Sequence, residues 1–154
     1  MEYLDIVDEQ GQPTGKIISR TLAHTEGIRH RTVHIWIVRR ENEHLQVLMQ
    51  KRAMNKDSFP GKYDTSSAGH IQAGDEPLAS GLRELAEELG IHAKPEDLAF
   101  AGCIHGNFAE EFHGKIFRDN EIAFVYVYQQ PVDIETLVLQ KEEVESVRWF
   151  DLEE

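Results

Sequence analysis

A mixed α/β domain is what the sequence predicts, and two observations carry the prediction. Segments rich in β-branched and aromatic residues stand before and after one strongly amphipathic stretch, residues 77–89. No internal repeat, low-complexity run or linker divides them, so residues 1–154 are expected to form a single domain. With 40% hydrophobic and 29% charged side chains, the 154-residue chain has a soluble globular balance and is long enough to bury a core without disulfides.

Taken in order, residues 4–7 and 16–19 flank Gln10-Gly11-Gln12-Pro13, a turn sequence, and read as a short hairpin. Residues 19–26 read as a short helix. Residues 32–38, Thr-Val-His-Ile-Trp-Ile-Val, have the composition of a strand, with the charged segment 39–44 as its turn and 45–49 as the returning strand. A segment rich in Gly, Pro, Asp and Ser, residues 55–61, forms a loop before residues 63–68. Residues 98–104, 121–128 and 147–150 are the remaining strands, with 104–119 expected as a loop.

The charge excludes several partners. Sixteen Lys and Arg against 28 Asp and Glu give a net charge of −12, the reverse of what a nucleic-acid polymer or an anionic membrane attracts. No run approaches the roughly 20 apolar residues of a membrane span. The acidic N-terminus lacks a secretion signal, and a single cysteine, Cys103, fits a reducing compartment; a cytoplasmic protein is expected. Ten basic residues fall between Lys16 and Lys62, whereas residues 75–154 hold 19 acidic and 6 basic ones. Either the second half has well-solvated acidic faces, or basic side chains and a cation-binding carboxylate cluster meet at one site.

The helix at 77–89 bears on the choice, and the motif that opens it decides. Proline suits a first helical turn, Asp75 and Glu76 face the positive end of the dipole, and Gly90 is placed for a left-handed cap. At about 100° per residue, Leu78, Leu82, Leu85 and Leu89 form one stripe, and Glu84, Glu87 and Glu88 lie on another side. Three carboxylates fixed on one arc would offer oxygen ligands to a hard cation such as Mg²⁺. A P-loop is excluded, because Asp75-Glu76 stand where its Lys-Ser/Thr would be.

Residues 69–91 resemble the Nudix box, Gly-x5-Glu-x7-Arg-Glu-U-x-Glu-Glu-x-Gly-U, where U is aliphatic. The matching positions are Gly69, Asp75, Arg83, Glu84, Leu85, Glu87, Glu88, Gly90 and Ile91, with Asp75 as the single departure. The resemblance implies an α/β/α sandwich with a mixed sheet and hydrolysis of a small-molecule diphosphate assisted by Mg²⁺ or Mn²⁺. It implies metal ligands at Glu84, Glu87 and Glu88, with the Gly69 carbonyl as a further one, and Arg83 orienting the glutamates. Glu84 and Glu121 are the two candidates for the general base.

Upstream, Gln50-Lys51-Arg52 through Lys56, Phe59-Pro60-Gly61 and Tyr63-Asp64 resemble isopentenyl-diphosphate isomerase and its hydrolase-like relatives within that superfamily. That likeness implies a second metal set at His24, His30, His70, Asp119 and Glu121, and a diphosphate grip by Arg52 and Lys56, with His70 also available to substrate. The isomerase's catalytic cysteine falls on Ala68, which carries no proton, so hydrolysis is the favoured reading and isomerisation the alternative. A catalytically silent binding module is a third reading, opposed by the retention of all three box glutamates.

The other residues have plainer readings. Arg52 and Lys56 can equally be surface charges. No function is assigned to His34, His44, His92, His105 or His113, Cys103 is expected to be a buried bystander, and Trp36, Trp149 and Phe150 read as packing. Phe59, Tyr63 and Phe108 stay open as pocket aromatics, and association into a homodimer also stays open.

Overall fold

The computed structural model describes residues 2–56, 59–112 and 114–152. At its centre runs β3 (His30–Glu41), which pairs in parallel with β8 (Lys115–Tyr128), from His30 opposite Glu121 to Ile37 opposite Tyr128. On its other side β3 changes partner. Thr32–Ile35 pair antiparallel with β6 (Ser67–His70), and Ile37–Glu41 pair antiparallel with β4 (His44–Arg52). The change is bridged by Ser66, fully buried, whose hydroxyl accepts from Ile37 N–H (2.8 Å) and donates to the Leu48 carbonyl. Strands β5 (Tyr63–Asp64) and β9 (Val144–Asp151) pair with β4, and β7 (Leu98–Phe112) pairs with β8, completing a mixed seven-stranded sheet.

The core lies on one face of this sheet. Val33, Ile35 and Ile37 of β3 and Tyr126 and Tyr128 of β8 meet Leu85 and Leu89 of the helix running from α2 (Pro77–Glu84) into a wider π-turn at Leu85–Leu89. Both leucines are fully buried, each stabilising by about 1.5–3 kcal/mol relative to exposure. Gly81 is buried where the helix crosses β3: a Cβ there would stand 3.3 Å from Val33 and Ile35. Gly90 ends the helix at φ 72°, as its placement predicts.

A separate hairpin, β1 (Tyr3–Val7) with β2 (Pro13–Ser19), packs beside β3. Its anchor is a buried pair: Arg31 donates to Asp5 (3.2 Å) and to the Asp75 carbonyl (3.0 Å), and Asp5 also accepts from Gly74 N–H. Helix α1 (Arg20–Glu26) follows, with the Ser19 hydroxyl accepting from Leu22 N–H and Gly27 at φ 70° ending it.

Three sequence expectations change here. The turn after β3 is only Asn42-Glu43, both at positive φ, so the strands run through the charged segment 39–44. Residues 104–119, expected as a loop, are mostly strand: β7 and β8 form a ribbon that reaches past β3, paired as far as Phe112 and Lys115. Asp119-Asn120-Glu121 therefore lie within a strand rather than at its edge. The outer part of β7 is exposed at nearly every position, so no buried face imposes period-two hydrophobicity on its sequence. Cys103 is exposed on β7, not buried. Of the loop expected over 55–61, residues 57 and 58 lie outside the described residues, as does His113.

Candidate active site

On one side of the sheet opens a cleft of about 530 Å³, with two differently built ends. The first is the carboxylate end. Glu88 is 6% exposed, and its Oε1 accepts from the Ser67 hydroxyl (2.7 Å), Ala68 N–H (3.2 Å) and the Gln50 amide (3.3 Å). It thus occupies the opening left where β4 and β6 diverge. Glu84 is half-buried and lies so close to Gly69 that a Cβ on that residue would fall 2.4 Å from the Glu84 carboxyl carbon. Glu87 remains exposed. The expected common arc is therefore split: Glu88 joins the buried flank with Leu85 and Leu89, while Glu87 faces solvent. Burial lifts Glu84 to about 8, with the Glu88 charge adding to the effect, and lifts Glu88 to about 7 against the pull of its three donors.

Arg83 ties this end together. Its guanidinium donates to Asp75 (2.9 Å) and lies 3.6 Å from Glu84 and 4.0 Å from Glu87. Asp75, the departure from the box pattern, is thus engaged with Arg83.

The second end is built of nitrogen. His24 of α1, His30 of β3 and His70 of β6 bring ring nitrogens within 4.8 Å of one another, and the Asp119 carboxylate from β8 faces them. Asp119 Oδ1 is 3.4 Å from His30 Nε2 and 3.5 Å from His24 Nε2; His24 and His70 Nε2 are 3.4 Å apart. Both His30 Nε2 and Asp119 Oδ1 are buried without a hydrogen-bond partner. Such orphaned atoms are costly unless something satisfies them, and imidazole with carboxylate is the donor chemistry of a transition-metal ion. Burial would raise Asp119, but the imidazoles of His24 and His30 outweigh it and hold the carboxyl well below its usual range. Burial, then the Arg20 charge and the other two histidines, drive His70 well below 6.5. Glu121 takes a hydrogen bond from Thr32 and is pushed up to about 9 by burial and by neighbouring Asp119.

The walls between carry Arg20, Arg52, Lys56 and Lys62. Lys56 is ion-paired with Glu143, and Arg52 Nη1 lies 3.7 Å from Asp64. Basic residues of the first half and carboxylates of the second do meet across one cleft. Of the residues singled out from the sequence for the site, Gly69, His70, Arg52, Lys56, Glu84, Glu87, Glu88 and Glu121 line it, as do His24 and Asp119. His30 is fully buried beside them, and Arg83 reaches the glutamates from outside the lining, held by Asp75.

Several participants escape a reading of the sequence. Gln50 and Ser67, which grip Glu88, come from separate strands. His34, assigned no function, lines the cleft 3.8 Å from Glu121, and burial lowers its pKa against the opposing pull of Asp64 and Asp119. Thr32 and His34 alternate on one side of an otherwise apolar strand, a signal that could have marked them. Glu143, in the loop before β9, gives no local sign at all.

A family model described as the NUDIX domain matches residues 28–154. The chain belongs to the Nudix family. An uncharacterized Nudix hydrolase of Clostridium acetobutylicum is 41% identical over 99% of this chain and 71% of its own length. Nudix hydrolase 3 of Arabidopsis thaliana is 40% identical over 99% of this chain, which spans only 20% of that protein. Among solved structures, DR0079 from Deinococcus radiodurans superimposes with a TM-score of 0.66 at 20% identity, covering 96% of this chain and 82% of its own, a likeness of fold. The α/β sandwich read from the box is therefore the Nudix fold, and the chain is an enzyme of the Nudix hydrolase type, a class that works with divalent metals. Among the described residues no helix is long and apolar enough to cross a membrane.

Proposed function

We propose that the chain hydrolyses a diphosphate linkage in a nucleoside diphosphate-type or related small molecule, using Mg²⁺ or Mn²⁺. The observation that carries this is the convergence of Glu84, Glu88 and Gly69 on a cleft that Arg52, Lys56 and Lys62 also line. The Glu84 and Glu88 carboxyls are raised to about 8 and about 7 even with Arg83 3.6 Å from Glu84, and a hard divalent cation supplies the positive charge that would let both ionise. Glu84, Glu87, Glu88 and the Gly69 carbonyl would hold it; once bound, it neutralises phosphoryl charge and acidifies the attacking water.

The chain's own groups do the rest. Arg52 and Lys56 bind the phosphates, the first as a fork and the second as a point charge, after Lys56 exchanges Glu143 for substrate. Arg83 keeps Glu84 aimed, and Glu84 takes one proton from the water whose oxygen bonds to phosphorus as the P–O–P bridge breaks and the other phosphate leaves with the bridging oxygen. Glu121 serves less well as the base, because Thr32 and Asp119 already engage its carboxyl. It belongs with His24, His30, His70 and Asp119, a nitrogen-rich set suited to a second, softer cation, and His70 acts there rather than on phosphate. Isomerisation is the weaker reading, because Ala68 brings only a methyl and an N–H to the cleft.

The test is product release from a panel of diphosphates with Mg²⁺ or Mn²⁺, isopentenyl diphosphate included and checked for isomer, with Glu88→Gln as control. Metal-dependent cleavage that vanishes in the variant is expected. Isomer without cleavage, or no turnover together with no thermal shift on adding metal, overturns the proposal.

A further inference from the structure

Four phenylalanines, three of which line the cleft, form a connected cluster that starts at His24. Phe117 of β8 stacks on His24 (centroids 4.2 Å apart, 22° between planes) and contacts Phe108 and Phe112 of β7 at 6.2 and 5.9 Å. Phe59, in the segment joining β4 to β5, meets them with its ring 5.8 Å from Phe108 and 4.9 Å from Phe112. Its backbone stands at φ 46°, a conformation that bulky residues avoid and that its surroundings must impose. Although they contact other rings, Phe59 and Phe108 stay 38% and 37% exposed, and both line the cleft together with Lys56 and Lys62. Bare ring surface in the same cleft as Lys56, the proposed phosphate partner, is what an organic group one diphosphate away would meet. Phenylalanine has no hydrogen-bonding atom, so these rings can register carbon area but not donors and acceptors.

We propose that Phe59 and Phe108 form the subsite for the substrate's organic group and select it by carbon surface rather than by hydrogen-bond pattern. The inference rests on reading the cleft as a diphosphate site. Hydrocarbon and nucleobase share the required chemistry. A hydrocarbon gains roughly fourfold in affinity per fully buried methylene, and a base gains by stacking that is indifferent to its identity.

The experiment is titration calorimetry, in Mg²⁺, of non-hydrolysable methylenebisphosphonate monoesters bearing methyl, n-hexyl, adenosyl, guanosyl or uridyl groups. In the unaltered protein the hexyl compound is expected to bind at least about tenfold tighter than the methyl one, with the three nucleosides within about threefold of each other. The hexyl-to-methyl ratio should fall toward one in Phe59→Ala and Phe108→Ala and be restored in Phe59→Leu. A purely structural role would weaken both ligands alike and leave the ratio standing. An unchanged ratio in both alanine variants, a preference of more than about tenfold among the nucleosides, or no binding of any analogue overturns the proposal. A surviving ratio without cleavage of any true diphosphate would sink the hydrolase reading and keep the subsite; cleavage with an insensitive ratio would do the opposite.

Discussion

The two ends of the cleft are assembled by opposite strategies. The carboxylate end takes Glu84, Glu87 and Glu88 from one helix, so its spacing is written within five consecutive positions. The histidine end draws His24, His30, His70 and Asp119 from α1, β3, β6 and β8, and exists only after the sheet has formed. Oxygen ligands on a local scaffold suit a labile hard cation; nitrogen ligands pinned by tertiary structure suit a tightly held softer one. Chemistry and topology thus divide the labour in the same place.

The comparison breaks first at Glu88. Glu88→Gln keeps the bulk that fills the opening beside β6 but removes the charge, and should lower kcat by at least about a hundredfold with a near-normal melting temperature. If activity persists, the carboxylate end is not the reacting end. Gly69→Ala should cost about ten- to a hundredfold, because the new methyl displaces the Glu84 carboxyl while the backbone, already in an ordinary conformation, tolerates it. Steady-state kinetics alongside circular dichroism separates that outcome from misfolding.

Softer evidence distinguishes the two cations. His24→Asn and His70→Asn should each weaken Mn²⁺ or Zn²⁺ binding by about ten- to a hundredfold while leaving the thermal shift produced by Mg²⁺ in place. Equal loss of both shifts would mean one merged centre.

The smallest effect is on pH. Glu84 and Glu88 have folded pKa values of about 8 and about 7 against an ordinary 4.5. The stability they confer when protonated is complete below about 4.5 and is lost as pH rises through 7 to 8. Metal-free protein should therefore melt at progressively lower temperature from about pH 5 to about pH 9, and Glu84→Gln should flatten that slope. A rising slope would show these carboxyls ionised and paired.

What was legible from the chain follows the same division. The box, its proline start and its Gly90 stop are local signals, and all three stand in the structure. His24, His30, His70 and Asp119 share no local pattern; family likeness alone brought them together. Strands 98–104 and 121–128 were legible, but their extension through residues 105–119 was not, because β7 stays exposed along nearly its whole length; Cys103 was misplaced for the same reason. Glu88 looked like one member of a solvated face. Its partners Gln50, Ser67 and Ala68 come from β4 and β6, and a helical wheel cannot know that those strands part beside it.

That last detail bears on engineering. With Ala68 N–H pointing at Glu88 rather than at a neighbouring strand, the carboxylate serves as a piece of sheet. The box helix is therefore not a portable cassette. Grafted onto an unbroken sheet it would carry Glu84 and Glu87 to the surface, but Glu88 would find no gap to enter. A transplant would have to bring the fork between β4 and β6, with the Ser66 hydroxyl that bridges it, along with the helix.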